Sequence, residues 1–206
     1  MNFRTFFHYR GCFQGDIPSA SPLIPGLLGR FVVTITRYSQ ASPEVVCKDT
    51  PNNRDKAFSL SLGTIHIKLD DGRIIGVDGD GKRCSVIIWA ERDDQGRERE
   101  LELPELVANA RFFPISISDR EYSPPSLQRV VGQQIRSVRI YKVRPFDERS
   151  KTLAREAILE VEFESRDTIF FCYGLAQFAN SSFCVVSKND LDPSTFKEFD
   201  IYKEII

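Results

Sequence analysis

The stretch Ile65-His66-Ile67-Lys68-Leu69-Asp70-Asp71-Gly72-Arg73-Ile74-Ile75 admits very few conformations. Apolar and polar residues alternate up to Leu69, which puts Ile65, Ile67 and Leu69 on one face of a strand. Asp70-Asp71-Gly72 then reverses the chain. Side-chain parity selects the loop length. Three loop residues put Ile67 opposite Ile75 and Ile65 opposite Val77, whereas two would put Ile67 opposite Gly76. Only the first keeps one face apolar, because a slip of one residue turns every side chain over. Gly72 supplies the positive φ that a type I turn with a bulge requires.

A looser version of this hairpin returns at 159–171. There Leu159, Val161 and Phe163 alternate with Glu160, Glu162 and Glu164, and a turn leads to Thr168-Ile169-Phe170-Phe171. Upstream, Leu27-Leu28-Gly29 can be laid over Val130-Val131-Gly132. Val32 then falls on Ile135, Ile35 on Val138, Tyr38 on Tyr141 and, across a shorter polar loop, Leu69 on Phe163. This order of elements suggests an internal repeat, with a single asymmetric mixed sheet as the alternative. The expected fold is mainly β (α+β): antiparallel sheets from two duplicated β-rich halves, with one to three short helices. Residues 1–25 read as an N-terminal arm and linker, rich in Phe at its start and in Gly and Pro after it. Residues 26–120 form the first half and 121–206 the second, divided near Pro124-Pro125, in one body.

Smaller expectations follow along the chain. Residues 41–57 read as a long polar loop. Asp78-Gly79-Asp80-Gly81 reads as a turn, and Cys84 to Trp89 as a central strand because it is apolar on both faces. Residues 91–100 are a charged turn, and a short helix is expected after Pro104, up to Phe113. Ile115 to Ile117 read as an edge strand, and Glu148 to Arg155 as a helical turn. Asp192-Pro193-Ser194 opens a final helix, with Phe196, Phe199, Tyr202 and Ile206 at helical spacing.

The chain has 206 residues, enough to bury a core without metal or disulfide help. Its formal net charge of −1 gives no global pull toward nucleic acid or an anionic membrane. Cys12, Cys47, Cys84, Cys172 and Cys184 contain no Cys-x-x-Cys and read as reduced, mostly buried thiols. Arg4, His8 and Arg10 interrupt the first apolar residues, so no signal peptide is expected. No apolar run reaches membrane-spanning length. The expected location is the cytoplasm.

Three constellations bear on chemistry. Glu160, Glu162 and Glu164 share one strand face, read as solvated or as an acidic stripe for a basic partner. His66 stands on the polar face of its strand as a surface or boundary histidine. Its pairing with Cys84 or Cys172 as base and nucleophile is unsupported by spacing. Arg129, Arg136, Arg139, Lys142 and Arg144, interleaved with Tyr141 and Phe146, are the only local basic concentration. Arg136 and Arg139 differ in strand parity, so a continuous basic face needs a bulge between them. The Asp78 to Gly81 stretch fails as a calcium loop, because Lys82 and Trp89 stand where oxygen ligands belong. No phosphate-binding, dinucleotide or nucleophile-elbow motif is present.

The leading expectation is a non-enzymatic interaction protein without metal or cofactor. It would bind another protein through residues 41–57, residues 91–100 or the acidic face; an inhibitor or immunity-type protein fits that class. The second is a small enzyme or ligand binder, its pocket between the halves lined by Trp89, His66, Glu160 or Glu162. The third is nucleic-acid binding through Arg136, Arg139, Lys142 and Arg144.

Overall fold

The first hairpin forms with the register that parity selects. In the computed structural model Ile65 pairs with Val77 and Ile67 with Ile75. The Leu69 N–H donates to Arg73 O (2.9 Å), and Gly72 closes the turn at φ 87°. The second hairpin repeats this geometry. The Phe163 N–H donates to Asp167 O (3.0 Å), and Arg166 takes the place of Gly72 at φ 70°. A side chain in that left-handed region costs about 1–2 kcal/mol. The Arg166 guanidinium reaches Glu162 at 3.0 Å, which offsets part of that cost. The structure describes residues 15–48, 51–91, 112–145, 148, 150–175 and 183–206. The arm at 1–14, most of the charged turn at 91–100 and the helix expected after Pro104 lie outside these residues.

Ten strands form two antiparallel sheets of five. The first holds β1 (Val32–Ser39), β2 (Ile65–Leu69), β3 (Ile74–Asp80), β4 (Ser85–Ala90) and β5 (Phe113–Ser116), in the order β4-β3-β2-β1-β5. The second holds β6 (Ile135–Val143), β7 (Glu156–Phe163), β8 (Thr168–Tyr173), β9 (Phe183–Ser187) and β10 (Phe199–Ile205), in the order β10-β6-β7-β8-β9. Each sheet is therefore a four-strand meander whose fifth strand returns to pair with the first.

The sheets meet where β1 and β6 begin. The Gly29 N–H donates to Ile135 O (2.9 Å), and the Gly132 N–H donates to Val32 O (2.7 Å). Likewise the Val32 N–H donates to Gln133 O (3.0 Å), and the Ile135 N–H to Arg30 O (2.8 Å). Each bond has a counterpart with the two halves exchanged. Phe31 and Gln134 bridge each other at the centre. Both first strands also carry a bulge one residue further on, at Val33 in β1 and Arg136 in β6.

The facing sides of the sheets share one apolar cluster. It includes Ile35, Ile65, Ile67, Val77 and Ile88 from the first sheet and Val138, Ile140, Val161, Phe163 and Phe171 from the second. β4 packs across β7 and β8. The short helix Ala57–Leu60 packs against β9 and β5, and Arg37 of β1 beside it is fully buried. The Arg37 guanidinium donates to the carbonyls of Ser59, Ser61 and Gly63 and lies 5.5 Å from the Phe183 ring centroid. Burial lowers its pKa to about 10, so it remains a cation at neutral pH.

Several sequence expectations are corrected. The 41–57 stretch is not an open loop: it holds a short helix at Pro43–Lys48 and a 3-10 segment at Pro51–Lys56. β3 runs through Asp80, so the turn falls at 81–84. β4 is buried on both faces but ends its sheet, with Asp16 bridging Ile88. The C-terminal helix is a 3-10 turn at Pro193–Glu198 followed by β10. Asp192 caps that turn by accepting from the Ser194 N–H, as expected. The helical spacing of Phe199, Tyr202 and Ile206 loses to pairing with β6, whose edge would otherwise lack hydrogen-bond partners.

Candidate functional site

Strand pairing aligns two equivalent rows on the outward faces of the sheets. In the first, Ser116, Thr36, His66, Gly76 and Trp89 stand side by side. In the second, Glu204, Arg139, Glu160, Phe170 and Val186 occupy the same places. His66 and Glu160 are thus counterparts, as are Tyr38 and Tyr141 one row away. The outward faces were expected to be solvated. Instead His66, Trp89 and Glu160 are buried, Glu162 is half-buried, and only Glu164 of the three glutamates is exposed.

In the first sheet His66 Nε2 lies 3.1 Å from Glu91 Oε1, and the Trp89 indole N–H donates to the same oxygen (2.7 Å). Glu91 stands two residues beyond Trp89, so alternation returns it to the same face. The indole lies over Gly76, where any Cβ would run into the ring. Tyr38 meets the imidazole edge-to-face, with centroids 4.9 Å apart. Neither His66 ring nitrogen makes a hydrogen bond, so the Glu91 contact is one of proximity. The structure brings His66 and Trp89 together through Glu91, on an outward face rather than in a pocket between the halves, and the sequence reading left Glu91 inside a charged turn. Its spacing from Trp89 was the available signal.

In the second sheet the acidic and basic stripes are two sides of one ladder. Glu160 accepts from Arg139 (2.8 Å) and from the Tyr141 hydroxyl. Glu162 accepts from Arg136 (3.3 Å) and pairs with Arg139 at 3.2 Å. Glu204 of β10 takes the Arg139 Nε–H. The bulge at Arg136 supplies the parity change that a shared face requires. Burial and the Glu160 carboxylate push the Tyr141 phenol well above its usual range, and the Glu204 bond raises the Arg139 guanidinium. These charges satisfy one another and leave few free valences for a partner.

Lys142 and Arg144 lie beyond the ladder. Lys142 stands 3.6 Å from the buried Glu156 and 3.5 Å from the centroid of the Tyr202 ring. Arg144 pairs with Asp200 at 2.8 Å. Together with Lys151, Leu153 and Arg155 they line a groove of about 250 Å³ beside β10. β10 bulges at Tyr202, and Ile201 and Tyr202 are 59% and 54% exposed. His66 and Trp89 belong to one outward face and Glu160 and Glu162 to the other. The four therefore do not line a shared pocket, and aliphatic and phenyl side chains fill the space between the sheets.

Among the described residues, no group of three or more His, Cys, Asp or Glu is arranged to hold a metal ion. None of their helices is long and apolar enough to cross a membrane. What the fold defines is a class of architecture, a pair of like-ordered antiparallel meanders sharing one core. No protein-family model, curated protein or solved structure matches the chain.

Proposed function

We propose that this chain is a non-enzymatic interaction protein of the cytoplasm, and that its two sheets are copies of one duplicated unit. Its docking surface is the groove beside β10, and its partner is another protein that presents an acidic segment. The observation that carries this reading is the lining of that groove. Lys142, Arg144, Lys151 and Arg155 line it beside the outward step Ile201-Tyr202. Although Arg144 pairs with Asp200, Lys151 with Glu148 and Lys142 with the buried Glu156, the exposed Arg144 and Lys151 keep its rim basic. Exposed apolar side chains beside a basic rim suit a partner of opposite charge, which gains apolar burial and electrostatic steering together. The acidic face of β7 is a weaker candidate, because Glu160 and Glu162 are already engaged by Arg136 and Arg139.

The test is affinity capture with quantitative mass spectrometry, followed by cross-linking of the captured protein. Wild type and Lys188→Glu, a change on an exposed turn, retain the same partner through an acidic stretch. Ile201→Glu with Lys151→Glu loses it. Equal recovery by all three, or cross-links that avoid β10, overturns the reading.

A second reading draws on His66. A buried imidazole beside Glu91, with neither ring nitrogen in a hydrogen bond, resembles a group held ready for a small ligand. A co-purifying small molecule in native mass spectra that disappears in His66→Gln favours it. Of the Arg136–Arg144 cations, nucleic-acid binding retains Lys142 and Arg144 outside the ladder, each beside a carboxylate. Flow-through from heparin at low salt counts against it.

A further inference from the structure

Cys172 of β8 and Cys184 of β9 are register partners, directly opposite each other across the outer antiparallel pair of the second sheet. Both side chains are buried in the second apolar cluster, among Ile158, Phe170 and Leu191. Cross-strand register places both side chains on the same outward face of the sheet. Directly opposed residues in antiparallel strands have Cα atoms about 4.5–5.5 Å apart. That separation lies within the range of about 4.4–6.8 Å that a disulfide spans. β9 ends its sheet among the described strands, so β8 is its one strand neighbour.

We propose that Cys172 and Cys184 are a disulfide-forming site, oxidised by a small-molecule disulfide to a cross-strand bond that ties the edge strand β9 to β8. One thiol, as its thiolate, attacks glutathione disulfide. This forms a mixed disulfide and expels glutathione thiolate, which takes up the proton. The second thiol then attacks the protein-bound sulfur, forms the Cys172–Cys184 bond and expels the second glutathione. Two protein thiols are oxidised and one glutathione disulfide is reduced to two thiols. Burial, and then the Cys184 contact, raise the Cys172 pKa well above the ordinary thiol value, which keeps the folded pair protonated and slow to react. Oxidation therefore proceeds fastest while β9 is open, during folding or under mild denaturant. Once the strand closes, the same burial shields the bond from reductant. The half-exposed Cys84 has no such neighbour among the described cysteines and stops at a mixed disulfide.

The experiment refolds the full chain with and without oxidised glutathione and maps disulfides by peptide mass spectrometry without reduction. The expected result is a Cys172–Cys184 cross-linked peptide, a loss of two hydrogens from the pair, and a Tm raised by roughly 5 °C or more. Cys184→Ser abolishes both changes and leaves Cys172 free or glutathionylated. If Cys184→Ser does not fold, the wild-type map decides alone. Thiols intact at 172 and 184, glutathione carried by each separately, or linkage of either to Cys12, Cys47 or Cys84 overturns the proposal.

Discussion

Laid over each other, the outward rows of the two sheets show one backbone template with two solutions to the same burial problem. The central strand places a polar side chain at the same buried point in each sheet, His66 in β2 and Glu160 in β7. In the first sheet the polar group is an imidazole, and its carboxylate partner comes from Glu91, beyond the end of β4. In the second the carboxylate sits in the row itself, flanked by Arg139 and the Tyr141 hydroxyl. The large ring changes sides as well. Trp89 on the outer strand lies over Gly76, whereas Phe170 on the inner strand stands beside Val186. Register is common to both sheets, and charge compensation is local to each.

The largest expected effect follows from that difference. Glu160 accepts from two side chains of the ladder, Arg139 and Tyr141, whereas Glu91 accepts from Trp89 and only lies near His66. Glu160→Ala therefore strands the Tyr141 hydroxyl and takes from Arg139 one of its three carboxylates, and costs about 3 kcal/mol. Glu91→Gln costs roughly 1 kcal/mol, because its amide still accepts from Trp89. Urea unfolding of the two variants measures both, and equal losses would erase the distinction.

The next effect concerns the rings. Gly76→Ala drives a methyl group into the Trp89 indole and costs about 2 kcal/mol. Combined with Trp89→Val the loss is less than the sum of the single changes, because the valine removes the clash; a double-mutant cycle reads that coupling. Additive losses would show that the indole does not press on Gly76.

The turns give a smaller contrast of opposite sign. Gly72→Ala costs about 1 kcal/mol, since alanine resists positive φ. Arg166→Gly gains up to about 1 kcal/mol by relieving the same conformation, less what the Glu162 contact supplied. Thermal melts that move in the same direction would contradict the shared turn geometry.

The smallest effect appears only in alkali. The Tyr141 phenol has a folded pKa raised above its unfolded value of about 10. Its contribution to stability is complete below pH ~10 and is lost as pH rises toward the folded value. Tyr141→Phe is less stable at neutral pH but declines less steeply above pH 10. Denaturant midpoints across pH 8 to 11 show this, and parallel curves would remove Tyr141 from the ladder's energetics.

The hairpins were legible because their information is local. Parity along Ile65 to Val77 and the glycine at 72 define register and turn without reference to distant residues. The candidate sites were less legible. Alternation says that His66 and Glu160 face away from Ile67 and Val161, but not whether that second face meets water. The acidic and basic stripes looked like separate sites because Glu160 and Arg139 lie 21 positions apart in sequence and are joined only by β6–β7 pairing. Glu91 was lost in a charged run whose composition hid its place beside Trp89. At the C-terminus, Phe196, Phe199 and Tyr202 followed a helical period, and the segment became β10 because a vacant strand edge was on offer.

By itself, then, the amino-acid order determined which segments pair with their neighbours, which side chains share a face and where the chain turns, because these depend on a period of two and on backbone dihedral preferences. Tertiary structure decided that the outward rows around His66 and Glu160 are buried, that opposite charges from separate strands neutralise each other, and that Cys172 stands opposite Cys184. These outcomes depend on which surfaces come together in space, and burial makes each contact there worth more than it would be in water.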